Sequence, residues 1–256
     1  MALTAPPHHG EASLVFLSRP VTQNAADRIV ANVPEVKGGV VHDTGKVPGI
    51  AETDPEPEYH VNTLLAGCDV RANIFETEEA PVTVFMQQSC AHIEYPRGFD
   101  PKLVATATEV IQHEPSVFVD AACGVGGTLG IVAAQYDIPP RVIMNDAWGY
   151  AAYWTAVNLN INRDTLGLEG VEMHIAYAEV QESPVRKEPR KVADAFGGDG
   201  KHYEVWWGGD LHQLADVLPK SVDLTVIDLF GKEDRALMAD TLHRWKRETG
   251  GEVFIP

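Results

Sequence analysis

The chain has 256 residues, with 20 Lys and Arg against 37 Asp and Glu, a formal net charge of −17. That length accommodates one large domain or one domain with a smaller companion, while the charge works against phosphate backbones, which are bound through Lys and Arg. Three cysteines with no CxxC pair argue against a disulfide framework or a cysteine zinc site. With neither a membrane-length apolar run nor a signal-peptide start, a cytoplasmic location is expected.

In chain order, residues 1–12 read as a tail; its His8-His9 pair is read as part of that tail and not as a metal site. "SLVFLS" (13–18) is a strand candidate, and Pro20 opens the amphipathic helix "VTQNAADRIVANV". From Pro34 to His60 the Gly, Pro and acid content predicts a loop-like region. "DVRANIFETEEAPVTVFMQQS" (69–89) predicts two strands about a Glu-Glu-Ala-Pro turn. Asp100 caps the next helix with Pro101 in its first position. Leu103, Val104, Ala107, Val110 and Ile111 form its apolar face, and Pro115 stops it.

From Val117 a repeating pattern begins. Strands at 117–121, 141–146, 203–210 and 221–228 each lead into a helix, and "EVFI" (252–255) follows the last one. Such alternation predicts an α/β fold, a mostly parallel sheet with helices on both faces, preceded by a smaller α+β region. The boundaries are placed at 1–99 for the N-terminal tail and α+β region and at 100–256 for the main domain. Residues 162–202 are an insertion of roughly forty residues within it, with a weak strand at "VEMHIA" (171–176), read as a solvated loop ahead of a substrate-binding one. It carries Arg186, Lys187, Arg190, Lys191 and Lys201. A strand at 252–255 close to Pro256 predicts a bare sheet edge, covered by the N-terminal segment or by a second subunit, as in a homodimer.

The chemistry centres on "VFVDAACGVGG" (117–127), where an apolar strand ends in Asp120 and glycines follow at 124, 126 and 127. In open α/β sheets ligands bind beyond the carboxyl ends of the strands, and glycines there let the backbone approach the ligand. A dinucleotide site places pyrophosphate at this position, and a carboxylate at 120 would repel it. S-adenosylmethionine (SAM) has no phosphate and carries a sulfonium and an ammonium group, so an acid favours it. Asp146 at the next strand tip can accept both hydroxyls of a ribose, with Trp148 placed to cover an adenine. Asp210 can accept the adenine amino group while the Leu211 amide donates to a ring nitrogen; capping of the following helix is the competing role for Asp210.

Taken together, "VDAACGVGG", "VIMND", "WWGGDL" and "VDLTVIDLFGK" resemble the successive motifs of class I, Rossmann-like SAM-dependent methyltransferases over residues 100–256. The alternation of Asp120, Ala122, Gly124 and Gly126 is similar to their first motif. The resemblance implies SAM as cofactor, with Asp120, Ala122, Gly124, Gly126, Gly127, Asp146, Trp148, Asp210 and Leu211 around it, and no metal. A weaker similarity to archaeal tRNA guanine methyltransferases lies in "NDAWGYAAYWTAVNLNIN", "VIDLFG" and "IEYPRGF". Where those enzymes have Asp-Pro-Phe/Tyr-Gly, this chain has Asp228-Leu229-Phe230-Gly231, which removes the proline restraint.

Asp228 is expected to orient the acceptor or take its proton, and Phe230 to stack on it. The acceptor implied is a planar, heteroaromatic small molecule. The competing readings are a tRNA base methyltransferase that borrows affinity from the 186–201 cations, an NAD-dependent oxidoreductase using Gly124, Gly126 and Gly130 with Lys232, and a non-catalytic SAM-binding protein. Cys90, near His92, reads as a structural thiol.

Overall fold

A computed structural model of the chain describes residues 13–17, 21–45, 59–75, 80–90, 100–136, 138–229 and 234–256. Two compact units divide it, Met1–Phe75 with Val84–Phe99 and Glu76–Thr83 with Asp100–Pro256.

In the first unit, β1 (Ser13–Leu17), β2 (Val36–Gly45) and β3 (Tyr59–Gly67) form one sheet. β2 lies in the middle, parallel to β1 and antiparallel to β3. The region expected to be loop-like therefore contains a central strand. Its glycines weaken local strand preference, but hydrogen bonding on both sides and the buried Val40 decide the outcome. α1 (Gln23–Asn32) starts later than Pro20, because the Thr22 hydroxyl caps it by accepting from the Ala25 amide. β4 (Val70–Phe75) and β5 (Val82–Gln87) form the expected pair, β5 with strictly alternating burial.

The second unit holds a seven-stranded sheet. Its parallel members are β6 (Val117–Asp120), β7 (Arg141–Asp146), β10 (His202–Trp207), β11 (Leu224–Val226) and β12 (Glu252–Phe254), in the spatial order β12-β11-β6-β7-β10. The order reverses at β6, so the crevice at its tip is the topological switch point of the sheet. α2 (Pro101–His113), α3 (Thr128–Gln135), α4 (Gly149–Ile161), α6 (Leu211–Val217) and α7 (Arg235–Thr249) are the connecting helices. Val142, Ile143 and Met144 are buried in succession, as in a strand covered on both faces. On one face Trp245 and Leu214 close the core over Val119, Ile143 and Ile227, with the Trp245 indole donating to Thr225 Oγ at 3.0 Å.

The segment 162–202 corrects the loop expectation. It forms β8 (Leu168–Met173), the short helix α5 (Tyr177–Glu182) and β9 (Arg190–Gly197), and the two strands extend the sheet antiparallel beyond β10. "RKVADAFG" looked polar because it carries a charged network on one face while Val192, Ala193 and Ala195 are buried. Lys191 Nζ lies 2.9 Å from both Asp194 Oδ1 and Glu204 Oε2, and Arg141 is also bonded to Glu204. His174 and His202 contact the two Asp194 oxygens at 2.7 and 2.6 Å.

Burial pushes the Asp194 carboxyl up, but bonds from Lys191, His202 and His174 outweigh it and hold it at about 2. Removing one cation from such a network leaves nearly buried acids under-compensated. Lys191→Met is expected to lower stability by about 2 kcal/mol in denaturant unfolding. A loss under about 0.5 kcal/mol would mark the pair as surface decoration.

α2 also departs from expectation in its buried face. Thr106 and Val110 are buried while Val104 and Ile111 are about half exposed, so Val104 and Ile111 leave the predicted apolar stripe. β12 is an outermost strand, paired only with β11 among the described residues.

Candidate active site at the strand tips

Register places three carboxylates around one point. Asp120, the last residue of β6, lies level with Met144 of β7 and Val226 of β11. Two residues further along each neighbour stand Asp146 and Asp228. Asp120 is fully buried; its Oδ2 accepts from the Gly130 amide at 3.2 Å, while Oδ1 has no hydrogen-bond partner among the described residues. Burial pushes this carboxyl well above its ordinary range, the charges of Asp228 and Asp146 push it further, and the Gly130 and Ala122 amides pull weakly the other way. A buried, under-bonded acid between two others is relieved by taking up a proton or by a neighbouring cation.

The glycine loop wraps this point. Gly124, Gly126 and Gly127 take φ of +61°, +94° and +64°, the left-handed region that glycine enters without a Cβ clash. At Gly127 a Cβ would also fall 2.5 Å from Thr155 Cγ2, whereas at Gly124 it would meet nothing within 4 Å. The space beside Gly124 is therefore open to a ligand. Gly130 plays a packing role, since a Cβ there would fall 2.4 Å from Met144 Cγ. Its absence lets α3 approach β7 and deliver the Gly130 amide to Asp120.

Asp146 holds the loop from the other side. Its Oδ2 accepts from the Gly124 amide and Oδ1 from the Trp148 amide, both at 2.8 Å. Burial raises its carboxyl to about 6, and these two bonds pull the other way. Trp148 is the cap residue of α4, buried and packed on Tyr150 with ring centroids 5.2 Å apart. Asp210 caps α6, accepting from the His212 and Gln213 amides at 3.0 and 3.3 Å, with Leu211 first in the helix. The capping role is thus filled, and one carboxylate has lone pairs enough for a second partner. Ala122 lies in the turn between β6 and the glycines.

Several positions went unnoticed in the sequence. Asn145 Nδ2 donates to the carbonyls of Ala121 and Gly208 at 3.0 and 2.8 Å, tying three strand tips together. Asn158 Nδ2 holds the Gly126 carbonyl at 3.3 Å. Cys123 is buried with its sulfur 3.5 Å from Thr155 Oγ1, and burial followed by the charges of Asp146 and Asp120 pushes its thiol well up, away from nucleophilic use. Lys102, from the first turn of α2, reaches Asp228 with Nζ 2.7 Å from Oδ2. The asparagines sit beside named motif residues in "VIMND" and "NLNIN"; nothing in the sequence pairs Lys102 with a residue 126 positions away. Phe230 and Lys232, like His92 and all of "IEYPRGF", lie outside the described residues.

The 184–189 segment lines the far side of the β7 and β10 tips. Pro184, Arg186 and Lys187 accept through their carbonyls from the amides of Gly149, Gly209 and Asp210, and the Arg186 guanidinium lies 5.3 Å from the Trp207 ring centre. Of the five cations expected in a free loop, Arg190 pairs with Glu179 at 2.7 Å, Lys191 with two acids, and Lys201 donates to the Leu166 carbonyl. Ligand atoms of Asp194, His202 and Glu204 come within 4.8 Å of one another. Lys191 and Arg141 already balance those two carboxylates, leaving no net charge for a dication to neutralise. No described helix is long and apolar enough to cross a membrane.

No family model matches this chain, and no curated protein sequence matches it. Among solved structures it is similar to Trm1 from Pyrococcus horikoshii with S-adenosyl-L-methionine, at 14% identity and a TM-score of 0.42, over 71% of this chain and 42% of that one. It is also similar to P. horikoshii TYW2 in complex with MeSAdo, at 14% identity and a TM-score of 0.42, over 96% of this chain and 69% of that one. The chain thus spans less than half the length of the Trm1 chain.

Proposed function

We propose that this protein is a SAM-dependent methyltransferase acting on a planar heteroaromatic small molecule. The observation that carries the reading is Asp120, a buried carboxylate with an unpartnered oxygen, flanked by Asp146 and Asp228 beside an open, positive-φ glycine loop. Three converging acids suit a ligand bearing a sulfonium and an ammonium, and they oppose a diphosphate.

The residues present fit that cofactor. Asp120 would face its cationic end, Gly124, Gly126 and Gly127 would lie along it, and Ala122 would line the turn. Asp146 would accept from the ribose, with Trp148, Asp210 and Leu211 around the adenine. When bound, SAM supplies an electrophilic methyl group. The chain's own contribution is alignment of the acceptor, an effect worth several kcal/mol in such reactions. Asp228 would orient the acceptor or take its proton; the stacking role expected of Phe230 falls on a residue outside the described ones. Because four of the five cations at 186–201 are engaged within the protein and the net charge is −17, a small acceptor is favoured over tRNA.

Calorimetry with SAM, S-adenosylhomocysteine and NAD tests this. Micromolar binding of the first two and none of NAD is expected, the scale of an ordinary cofactor site. Tight NAD binding with no response to SAM would overturn the assignment. Salt-sensitive retention of bulk tRNA would instead favour an RNA acceptor.

A further inference from the structure

β8 closes the seven-stranded sheet at the end opposite β12. Its sequence, "LEGVEM", has neither proline nor lysine, the residues that commonly keep a sheet edge from accepting another strand. Gly170 and Glu172 lie opposite Phe196 and Asp194 of β9, and two residues on the His174 amide donates to the Val192 carbonyl at 2.8 Å. Antiparallel bonding alternates, so these residues bond to β9 while Val171 and Met173 turn their amides and carbonyls away from it. The outward groups have no hydrogen-bond partner among the described residues. Open space lies in front of them. A groove of about 370 Å³ follows the edge, lined by Glu169, Gly170, Val171, Glu172 and Phe196, and a Cβ at Gly170 would meet nothing within 4 Å. Phe196 stacks on His202 with ring centroids 4.6 Å apart yet stays 48% exposed, so one side of its ring is left for a partner.

An unpaired edge takes up an extended segment as one further strand, whose backbone supplies affinity and whose side chains supply selectivity. Charge decides which segment fits here. Glu169 and Glu172 both line the groove, and neither is paired with a cation among the described residues. A bulge between Leu168 and Gly170 leaves Glu169 without a partner on β9. A second copy of the chain would bring the same glutamates and a net charge of −17, which works against self-pairing. We infer that the β8 edge is a docking site for a basic, extended segment of a partner protein, added as an antiparallel strand. With one of its residues opposite Val171, the two neighbours fall opposite Gly170 and Glu172, and the next pair reaches Glu169 and Met173. The complementary order is apolar against Met173, basic against Glu172, apolar against Val171, aromatic over Gly170 beside Phe196, and basic toward Glu169. This surface lies apart from the strand tips and does not depend on the methyltransferase reading.

Backbone-amide NMR titration of the full chain with a capped Leu-Lys-Val-Phe-Lys peptide tests it. The controls are the acidic counterpart Leu-Glu-Val-Phe-Glu and the basic peptide N-methylated at its valine, the amide that would bond to Val171. Saturable binding of the basic peptide with a Kd below about 100 µM is expected, with shifts at Val171, Met173 and Phe196. Either control is expected to bind at least about tenfold more weakly. Glu169→Lys combined with Glu172→Lys should reverse the preference toward the acidic peptide. Val171→Pro removes an outward amide at an edge position that tolerates proline, and should weaken the basic peptide at least about tenfold. Both variants are expected to melt within about 3 °C of the unaltered protein. No saturation by the basic peptide up to about 1 mM would overturn the docking site. Equal binding of the N-methylated peptide would overturn strand addition, and an unchanged preference in the charge-reversed variant would overturn the basic partner. Dimerisation that shifts the same amides without peptide would give the edge to a second copy and overturn the assignment.

Discussion

Asp120→Asn is expected to raise the melting temperature of the ligand-free protein at neutral pH and to weaken SAM binding about 10- to 100-fold. Both effects come from one property. The Asp120 carboxyl is held well above its ordinary range by burial and by Asp228 and Asp146, so its ionised form costs folding free energy wherever it is charged. An asparagine keeps the oxygen that accepts from the Gly130 amide and removes the charge. A folded-state pKa raised above the unfolded value means that this acid binds more protons folded than unfolded. The gain from Asp120→Asn therefore appears as pH rises above the unfolded carboxylate range and vanishes in acid, where both forms are neutral. The same charge is what a sulfonium or ammonium pairs with, which is why stability and binding move in opposite directions. Thermal melts with and without SAM, read against calorimetric affinity, check it. A variant that is less stable and binds SAM normally would make Asp120 a structural residue and empty the proposal of its main support.

The second large effect is the pH dependence of binding set by Asp146. Its carboxyl is raised to about 6 by burial, against the two amide bonds from Trp148 and Gly124. Between its unfolded value and about 6 the folded protein holds the extra proton, so this group's contribution to stability declines as pH rises through that window. Binding runs the other way. An ionised carboxylate accepts hydroxyl donors more strongly than a neutral acid does, so SAM affinity is expected to climb roughly tenfold between about pH 5 and pH 7. Asp146→Asn should flatten the step centred near 6; it also removes one of the two charges that raise Asp120, which moves the Asp120 titration downward. Affinity that stays level across that range in the unaltered protein would take Asp146 out of the ribose site.

Much of the site was legible because strand tips and glycine loops are local. Asp120 ends its strand, Gly124 and Gly127 stand at positive φ, and Asp210 caps its helix, each dictated by a few neighbouring residues. What escaped notice was tertiary. Lys102 meets Asp228 across 126 positions, and Asn145 ties together three strands whose adjacency no short window contains. The segment 162–202 misled for a related reason. Its charged residues satisfy one another across β7, β9 and β10, and until partners are known a strand with such a face looks like a solvated loop. β2 looked like a loop because glycine disfavours strands in isolation, whereas pairing on both edges overrides that preference.

By itself, then, the order of residues determined the alternation of strands and helices, the acids at the strand tips and the glycine loop beside them, since these follow from hydrophobic period, backbone freedom and the position of charge along one element. Only the tertiary structure decided which acids lie together, that Asp120 keeps one oxygen unpartnered, that the 186–201 cations are largely engaged, and that an ammonium stands next to Asp228. Burial and pairing between distant segments set those outcomes, and both depend on the whole sheet being closed before any pair of charges acquires its energy.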